Sequence, residues 1–312
     1  MVTVLMATRN RAALLKEVLE AYCGLQSPRG GWKLIVVDNG STDNTAEMVS
    51  GFRARLPIQY LLESRLGKNA ALNTGILFCE GELVVFTDDD VLPHADWLVR
   101  LEDSADAHPQ YSIFGGVVLP RWESEPPEWV EWTNKAAVFT LTSPSLQEGP
   151  VDPNEVYGPN MAVRAEVLRS GARFDNSIGP RGNKYPMGSE TEFVLRLSRQ
   201  GHQCWHAVRA VVEHFIRSEQ LRKEWVFRRA IRFGRGMFRL YGTSEFKRYG
   251  WFGIAVSRVF RYMPVQLVFM LKGWVTCSDQ VCFRAHWFFN YFKGEVIEAY
   301  SMSQSRNAES WQ

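Results

Sequence analysis

The sequence predicts an α/β fold in which a mostly parallel sheet is flanked by helices. Short apolar runs of strand length alternate with longer segments whose apolar residues recur every three or four positions, and two strand-like runs end in acidic residues. With 312 residues, of which 46% are hydrophobic, the chain can bury one large core and carry an appendage. We therefore expect a main domain over residues 1–216 and a helical region over residues 217–312.

The predicted elements alternate regularly in the first third of the chain. Val2–Ala7 is an apolar run suited to a buried strand, and Arg11–Tyr22 has the apolar spacing of an amphipathic helix. The same criteria, with Asp43 as a helix N-cap, predict a strand at 34–37, a helix at 45–56, a strand at 58–62, a helix at 70–79 and a strand at 83–87. This order implies parallel strand pairing with helices on both faces of the sheet.

Carboxylates stand at the ends of two predicted strands. Asp38 closes the second strand, and Asp88, Asp89 and Asp90 follow the fourth. Ligands of parallel sheets bind outside the carboxyl ends of the strands, so both groups should face one crevice. Strand alternation would direct Asp88 and Asp90 to one side and Asp89 to the other. Such a cluster needs either solvent or a cation, and hard carboxylate oxygens suit Mg²⁺ or Mn²⁺ bridging a diphosphate.

Four segments, taken together, resemble the family 2 inverting glycosyltransferases of GT-A fold, of the bacterial polysaccharide or glycoconjugate type. They are LIVVDNGSTDNT (34–45), GKNAALNTGI (67–76), VVFTDDDVLP (84–93) and MGSETEFVLRLSRQG (187–201). Each segment is weak evidence alone, but the four occur in the family's order over roughly residues 1–216. The resemblance implies a catalytic domain that moves a sugar from a nucleotide sugar to a hydroxyl of a saccharide or lipid-linked acceptor.

The resemblance also assigns a donor pocket. In the family, the aspartate that closes the second strand contacts the uracil ring, a role that falls here on Asp38 and implies a UDP-type donor. Ala7 and Thr8 would line the same pocket. Lys68 resembles the basic residue that contacts the nucleotide, and Arg65 is the alternative.

Three residues are the metal ligands that the resemblance implies. Asp88 would contact the ribose and the metal, Asp90 would ligate the metal, and Asp89 would contribute to the donor site as the less favoured ligand. His214 follows a predicted last strand, where family members often place a metal-ligating histidine. The expected cofactor is Mn²⁺ or Mg²⁺.

The remaining site residues lie in two later segments. Gly158 and Asn160 match the family's Gly-x-Asn segment near the donor sugar. Glu190 occupies the position of the general base, which would remove the proton of the acceptor hydroxyl. The family's base is the aspartate of a Gly-Glu-Asp segment, and the glutamate that precedes it is replaced here by Ser189. Glutamate is one methylene longer than aspartate and could reach an acceptor seated slightly farther away. Glu192 is the competing base.

The C-terminal region is basic and aromatic. Residues 217–293 carry fifteen lysines and arginines against four acidic residues, a balance of +11 in a chain of net charge +2. Its longest uncharged run, Tyr262–Leu271, is shorter than the roughly 20 residues that span a bilayer. We expect an amphipathic helix in the plane of an anionic membrane, peripheral on the inner face of the cell membrane, with helix packing in a homodimer as the alternative. No nucleic-acid reader motif accompanies the charge.

Two further observations concern aromatic residues and cysteines. Trp122, Trp129 and Trp132 lie in a proline-rich segment, where they would either contact an acceptor sugar or plug the core. The five cysteines are scattered without a Cys-x-x-Cys pair, which indicates neither a disulfide framework nor a zinc site. Without a secretory signal pattern at the N-terminus, we expect a cytoplasmic protein.

Other protein classes fit the sequence less well. A dinucleotide-binding dehydrogenase needs a glycine-rich turn after the first strand, where this chain has Thr8-Arg9-Asn10-Arg11. A sugar nucleotidylyltransferase shares the fold type and the use of aspartates, but it too needs a glycine-rich turn at that point. A non-catalytic membrane-binding module is the third alternative, and the intact acidic residues argue against it.

Overall fold

The computed structural model describes residues 1–182, 185–276 and 278–309, in which strands and helices alternate as predicted. The strands are β1 (Val2–Thr8), β2 (Trp32–Asp38), β3 (Ile58–Leu62), β4 (Leu83–Asp88), β5 (Val91–Pro93), β6 (Ile113–Trp122), β7 (Gly149–Pro150), β8 (Met161–Arg164) and β9 (Cys204–Ile216). The helices are α1 (Ala12–Tyr22), α2 (Thr45–Ser50), α3 (Lys68–Ile76), α4 (Trp97–Ala107), α5 (Lys135–Phe139), α6 (Ala165–Arg169), α7 (Ser189–Arg199), α8 (Lys223–Tyr241), α9 (Thr243–Thr276) and α10 (Asp279–Glu309).

The chain forms two compact units. The first comprises residues 1–121, 139–181 and 189–216, and the second comprises residues 122–138, 182–188 and 217–312. The predicted domain boundary after residue 216 is also a boundary between these units. The second unit also includes residues 122–138 and 182–188, which lie inside the predicted domain 1–216, so the division into those two domains stays a prediction.

Within the described residues, the strands form one sheet in the order β3-β2-β1-β4-β8-β6-β9-β5, and β7 pairs with β9. β3, β2, β1 and β4 are parallel, as predicted, whereas the later strands pair in antiparallel fashion, so the sheet is mixed. Thr8 pairs with Asp38 on one side, and Ala7 pairs with Asp88 on the other. The two acidic strand ends therefore lie at the same edge of the sheet, on either side of β1.

Aromatic packing fixes α7 against β4. Phe174 stacks on Phe193 of α7 with ring centroids 4.2 Å apart, and Phe86 of β4 meets Phe174 edge-on at 5.2 Å. All three side chains are buried, and each contributes roughly 1.5–3 kcal/mol through the apolar area removed from water. Because Phe193 lies three residues after Glu190 and Phe86 lies two residues before Asp88, this cluster sets the spacing between the two acidic groups.

The second unit is a helical packing of α8, α9 and α10. Gly234 of α8 lies against the Tyr291 carbonyl, and Gly294 of α10 lies against the Ile231 carbonyl, so the two helices approach closely where neither has a side chain. Phe227 of α8 packs on Phe283 of α10. Phe227 and Phe238, two aromatic residues of α8, therefore pack inside this unit, whereas Tyr241 at the end of the helix is 50% exposed.

The α9 helix carries the exposed apolar surface. In the part of the chain that the structure describes, it is the one helix long and apolar enough to cross a membrane by length and composition. It is interrupted at Gly250, whose φ of 62° and ψ of 179° are not helical. Its most exposed apolar side chains include Phe252, Phe260, Leu267 and Trp274. The longest uncharged run is much shorter than this helix, because Arg258, Arg261 and Lys272 interrupt its apolar sequence.

Buried charges join the helices of the second unit. Glu298 of α10 is fully buried and accepts hydrogen bonds from Arg235, at 2.7 Å, and from Arg239. Arg258 of α9 is 8% exposed and donates to Glu295 of α10 at 2.8 Å. Ion pairs of this kind are costly to break on one side only, because the remaining charge stays buried without its partner.

Replacement of the buried carboxylate should destabilise the second unit. We expect Glu298→Gln to lower the free energy of unfolding by about 3–5 kcal/mol, because both guanidinium groups lose their counter-charge. The measurement is urea denaturation followed by circular dichroism. Glu20→Gln is the control, because its pair with Arg55 is exposed and should contribute less than about 1 kcal/mol. Equal shifts for the two variants would contradict the expectation.

Candidate active site

Acidic and basic side chains converge at the carboxyl edge of β1 and β4. Asp89 and Asp90, in the turn after β4, are both buried, and a single nitrogen of Arg11 contacts them at 2.6 Å and 2.8 Å. The predicted alternation of the three aspartates is therefore wrong for this pair. The strand ends at Asp88, and in the following turn Asp89 and Asp90 face the same guanidinium group.

Asp89 is the most enclosed of the three. Burial raises the pKa of Asp89 to about 6, although the Arg11 charge opposes the rise. Thr8 donates its hydroxyl to Asp89 at 2.8 Å and is itself 2% exposed. The two side chains predicted to line the donor pocket thus bond to each other, and their contact with a nucleotide stays a prediction.

Lys68 joins two of the carboxylates that the sequence predicts to be functional, Asp88 and Glu190. It begins α3, two residues earlier than the predicted helix, and its ammonium group pairs with Asp88 and with Glu190 Oε1, the latter at 2.7 Å. Burial alone would lower the pKa of Lys68, but the two carboxylates raise it. Arg65, the alternative basic residue, pairs instead with Glu63, and its side chain is 70% exposed.

Glu190 and Glu192 face different partners. Glu190 accepts hydrogen bonds from Lys68 and from the Ser189 hydroxyl, the latter at 2.6 Å. Burial would raise the pKa of Glu190, but the Lys68 charge and these hydrogen bonds outweigh it and lower the pKa. Glu192 pairs with Arg196 one turn along α7, at 2.7 Å. The structure thus brings Glu190, and not Glu192, to the acidic cluster.

His214 is oriented toward Asp90. Its Nδ1 lies 2.7 Å from the Phe139 carbonyl, which can only accept, so Nδ1 carries the proton and Nε2 keeps a lone pair. Nε2 lies 3.6 Å from Asp90 Oδ1, too far for a hydrogen bond. Ligand atoms lie about 2.1 Å from a bound transition-metal ion, so a pair at this separation can share one. A backbone carbonyl at the far ring nitrogen is the usual support of a metal-binding histidine.

The predicted three-ligand set is only partly assembled. Among the described residues, no group of three or more histidine, cysteine or acidic side chains is arranged around one metal position. Asp90 and His214 are together, while Asp88 is held by Lys68. The Asp90 carboxylate is of the ligand type that suits Mg²⁺ or Mn²⁺, and the His214 imidazole is of the type that suits transition metals.

Asp38 lies at the end of β2, as predicted, with both carboxylate oxygens engaged. Oδ1 accepts the Ser41 backbone N–H at 2.7 Å, and Oδ2 accepts the Tyr60 hydroxyl at 2.8 Å. The first bond is the Asx turn that starts the loop. Ala7 lies at the adjacent end of β1 and is partly exposed. The base-binding roles of Asp38 and Ala7 stay predictions, and Tyr60 is a partner that sequence reasoning missed.

Asn160 is committed to the scaffold. It is fully buried, its amide nitrogen donates to the Val117 and Ala210 carbonyls, and its amide oxygen accepts the Trp97 indole N–H at 2.8 Å. The side chain therefore ties β6, β9 and α4 together, and only its backbone is left for a donor contact. Gly158, two residues earlier, lies directly against Glu190.

Two other histidines, and the tryptophans and four of the cysteines noted in the sequence, lie away from this cluster. His202 contacts the Ser112 hydroxyl at 3.1 Å, and His206 is buried, where desolvation lowers its pKa. Trp129 and Trp132 pack on Phe283 inside the second unit, which favours the hydrophobic-plug alternative for that segment. Four cysteines are free thiols, and Cys277 lies outside the described residues.

Comparison with known proteins decides the family. Residues 3–169, more than half of the chain, match the model of Glycosyl transferase family 2. The chain belongs to this family. The matched region of the family 2 glycosyltransferase includes Asp38, Lys68 and the three aspartates, and it ends before Glu190 and His214.

Two curated relatives of this family 2 glycosyltransferase come from an archaeon and a bacterium. Glycosyltransferase AglE of Haloferax volcanii is 24% identical over 269 residues, which are 84% of this chain and 81% of that protein. A pre-mycofactocin glycosyltransferase of Mycobacterium tuberculosis is 29% identical over 238 residues, or 73% of this chain. The matched part spans only 45% of the length of the mycobacterial protein.

Solved structures confirm the GT-A fold. The mannosyltransferase PcManGT from Pyrobaculum calidifontis, in complex with GDP-Man and Mn²⁺, has a TM-score of 0.59 at 20% identity, covering 96% of this chain and 86% of that one. TarS 1-349 of S. aureus, in complex with UDP-GlcNAc, has a TM-score of 0.53 at 15% identity, covering 97% and 92%.

Proposed function

We propose that this enzyme is an inverting glycosyltransferase that moves a sugar from a UDP-sugar to a hydroxyl of a saccharide or lipid-linked acceptor, with Glu190 as general base. The observation that carries the proposal is the Lys68 ammonium group, which holds Asp88 and Glu190 in one cluster at the carboxyl edge of the sheet. Asp88, the proposed donor-binding group, and Glu190, the proposed proton acceptor, thus contact the same lysine side chain.

The proposed reaction is a single displacement. Glu190 takes the proton of the acceptor hydroxyl while the oxygen attacks the anomeric carbon from the face opposite the leaving nucleotide. Lys68 lowers the pKa of Glu190, which keeps the carboxylate ionised and able to accept. A donor diphosphate would attract the Lys68 ammonium group, and loss of that charge from Glu190 would strengthen it as a base.

A divalent cation fits the cluster beside this base. Asp90 and His214 would hold Mn²⁺ or Mg²⁺, with Asp88 as the third predicted ligand. The ion, when bound, would neutralise charge on the departing diphosphate. The Mn²⁺ in the PcManGT complex supports this choice. Asp38 and Ala7 would bind the uracil ring of the donor, and the backbone at Gly158 would face the donor sugar.

A panel of nucleotide sugars tests the donor class. We expect UDP-sugars, in the presence of Mn²⁺, to raise the melting temperature more than GDP-sugars do, because Asp38 would recognise the uracil ring. A ligand at 100 times its Kd stabilises the folded state by about 2.7 kcal/mol, which is large enough to detect. Analysis of the product's anomeric configuration by NMR then tests inversion. Asp38→Asn is the matched variant for base recognition. A panel without any shift, or a product with retained configuration, would contradict the proposal.

We also propose that the enzyme is cytoplasmic and binds the inner face of an anionic membrane through the second unit. The support is the exposed apolar surface of α9, together with exposed bases at Lys247, Arg248 and Lys272. Apolar side chains next to basic ones are typical of helices that lie at a membrane surface. Several arginines of α8 are less suitable, since Arg235, for example, pairs with buried Glu298.

Vesicle binding tests the membrane proposal. We expect the enzyme to sediment with vesicles of increasing anionic lipid content, and less so at high salt, because each base near the surface contributes about 1 kcal/mol that salt screens. A variant with Phe260, Leu267 and Trp274 changed to serine should lose binding on all vesicles, and Lys247→Glu with Lys272→Glu should lose only the anionic dependence. Leu62→Ser with Leu77→Ser is the control, since both leucines are exposed in the first unit. If the wild-type enzyme does not sediment with vesicles and instead dimerises as its concentration rises, the exposed surface of α9 is a homodimer surface.

A further inference from the structure

We propose that Ser189 and Gly158 are positioning residues that form a two-sided cradle for the Glu190 carboxylate and fix its orientation for proton transfer. The inference rests on the proposed role of Glu190 as the base. It concerns two residues that contact Glu190 and leave the reacting atoms to it. Ser189 stands where the resembling family has a glutamate, so this chain departs from the family's motif at this position.

The Ser189 hydroxyl holds one carboxylate oxygen. Ser189 is the first residue of α7 and is 2% exposed, and its Oγ donates to Glu190 Oε2 at 2.6 Å. The other oxygen, Oε1, accepts from Lys68 at 2.7 Å. Because each oxygen has its own donor, the carboxylate plane cannot rotate without losing a charge-assisted hydrogen bond. If Lys68 moves toward a diphosphate, the Ser189 hydroxyl still holds Oε2.

Gly158 forms the second side of the cradle. A Cβ atom at this position would lie 2.6 Å from Glu190 Cγ and 2.8 Å from Cδ, closer than real side chains approach. The turn Gly158–Asn160 is a 3₁₀ turn, a conformation open to any residue, so the glycine is required by the contact and not by its backbone. The side-chain atoms of Glu190 are movable, and a methyl group at residue 158 would therefore displace the base.

The backbone at Gly158 is itself held rigidly. Thr87 donates its hydroxyl to the Pro159 carbonyl at 3.0 Å, and buried Asn160 anchors the end of the turn. A side chain at residue 158 would thus meet a fixed turn on one side and a flexible glutamate on the other. The glutamate gives way, and the fold is retained. Glutamate is one methylene longer than the family's aspartate, and the bare backbone of Gly158 accommodates that extra length.

The cradle predicts a change in the pH dependence of the rate. The charged group that faces Glu190 from α3 is Lys68, and Asp88 of β4 lies beyond it. A hydrogen bond to the ionised carboxylate favours the ionised form, so removal of the Ser189 hydroxyl raises the pKa of Glu190. The rate, which needs ionised Glu190, should then begin to fall at a higher pH as the solution is acidified.

Steady-state kinetics test the cradle. The reaction measured is hydrolysis of a UDP-sugar, followed by the release of UDP, and the donor is the UDP-sugar that gives the largest thermal shift. We expect Ser189→Ala to lower kcat by about tenfold at unchanged donor KM and to move the acid limb upward, since one hydrogen bond to a charged group is lost. Ser189→Thr keeps the hydroxyl and should restore both values. Gly158→Ala should lower kcat further while Mn²⁺-dependent donor binding persists. Gly24→Ala, with ordinary contacts at its Cβ, is the control.

The outcomes separate the cradle from the base assignment. If Glu190→Gln is inactive while Ser189→Ala keeps the wild-type kcat and pH profile, or if Ser189→Thr is as impaired as Ser189→Ala, the cradle is overturned and the base stands. If Glu190→Gln is fully active, both are overturned. A thermal double-mutant cycle checks Gly158 independently: Gly158→Ala should cost stability in the wild type and little in Glu190→Ala. Equal costs in both backgrounds would overturn the contact.

Discussion

Glu190→Gln is expected to lower sugar transfer by at least about 100-fold while donor affinity is unchanged, the scale of general-base catalysis. The amide keeps the size of the side chain and can still accept from Ser189, so the cluster geometry persists. Lys68 retains its pair with Asp88. Transfer is measured with the donor from the nucleotide-sugar panel, and donor affinity by calorimetry with Mn²⁺.

The neighbouring glutamate provides the control for that result. Glu192 lies on the same helix and pairs with Arg196, so Glu192→Gln should keep nearly full activity. If Glu192→Gln is the inactive variant, the base has been assigned to the wrong residue. The pH profile gives a second check: the Lys68 charge lowers the pKa of Glu190 in the free enzyme, so wild-type kcat/KM, which reports the free enzyme, should decline only below the ordinary titration range of a glutamate.

Asp90→Ala is expected to abolish Mn²⁺-dependent donor binding without unfolding the protein. Asp90 supplies the oxygen that faces His214 Nε2, and alanine leaves the imidazole without its partner ligand. Arg11 keeps its contact with Asp89, and the removal of one charge from an acidic cluster relieves repulsion. The measurement is the thermal shift on addition of Mn²⁺ with and without the UDP-sugar.

A matched surface variant and a ligand variant complete this experiment. Asp96→Ala removes a partly exposed carboxylate that pairs with Arg100 in α4, and it should bind donor and Mn²⁺ like the wild type. His214→Gln should weaken the Mn²⁺ response in the same direction as Asp90→Ala. Retained Mn²⁺-dependent affinity in Asp90→Ala would exclude the proposed ligand role.

The parallel half of the fold could be predicted from the sequence because hydrophobic periodicity reports on it directly. β1 and β3 were predicted to within one residue of their bounds, since continuous apolar runs of that length have few alternatives in an α/β protein. The convergence of Asp38 and Asp88 at one sheet edge followed from parallel pairing. The antiparallel strands after residue 110 lack such a signal, because their partners are distant in sequence.

The ion pairs between the site residues could not be predicted from the sequence. Arg11 carried no motif, and its contact with Asp89 and Asp90 depends on how α1 begins beside β4. The aspartates were placed by strand alternation, which fails where a strand becomes a turn. The choice between Lys68 and Arg65 depended on the side chain's direction, which spacing does not give. In the second unit, charge and aromatic content alone could not distinguish α8, which is packed, from α9, which is exposed.

The aromatic cluster of Phe86, Phe174 and Phe193 makes the geometry of the site sensitive to substitutions in the buried core. These rings separate the strand that carries the aspartates from the helix that carries Glu190, the proposed base. A core substitution that changes this separation slightly, while keeping the domain folded, would change the distance between Glu190 and Asp88. We therefore expect that activity can be lost through substitutions at buried positions that contact neither substrate.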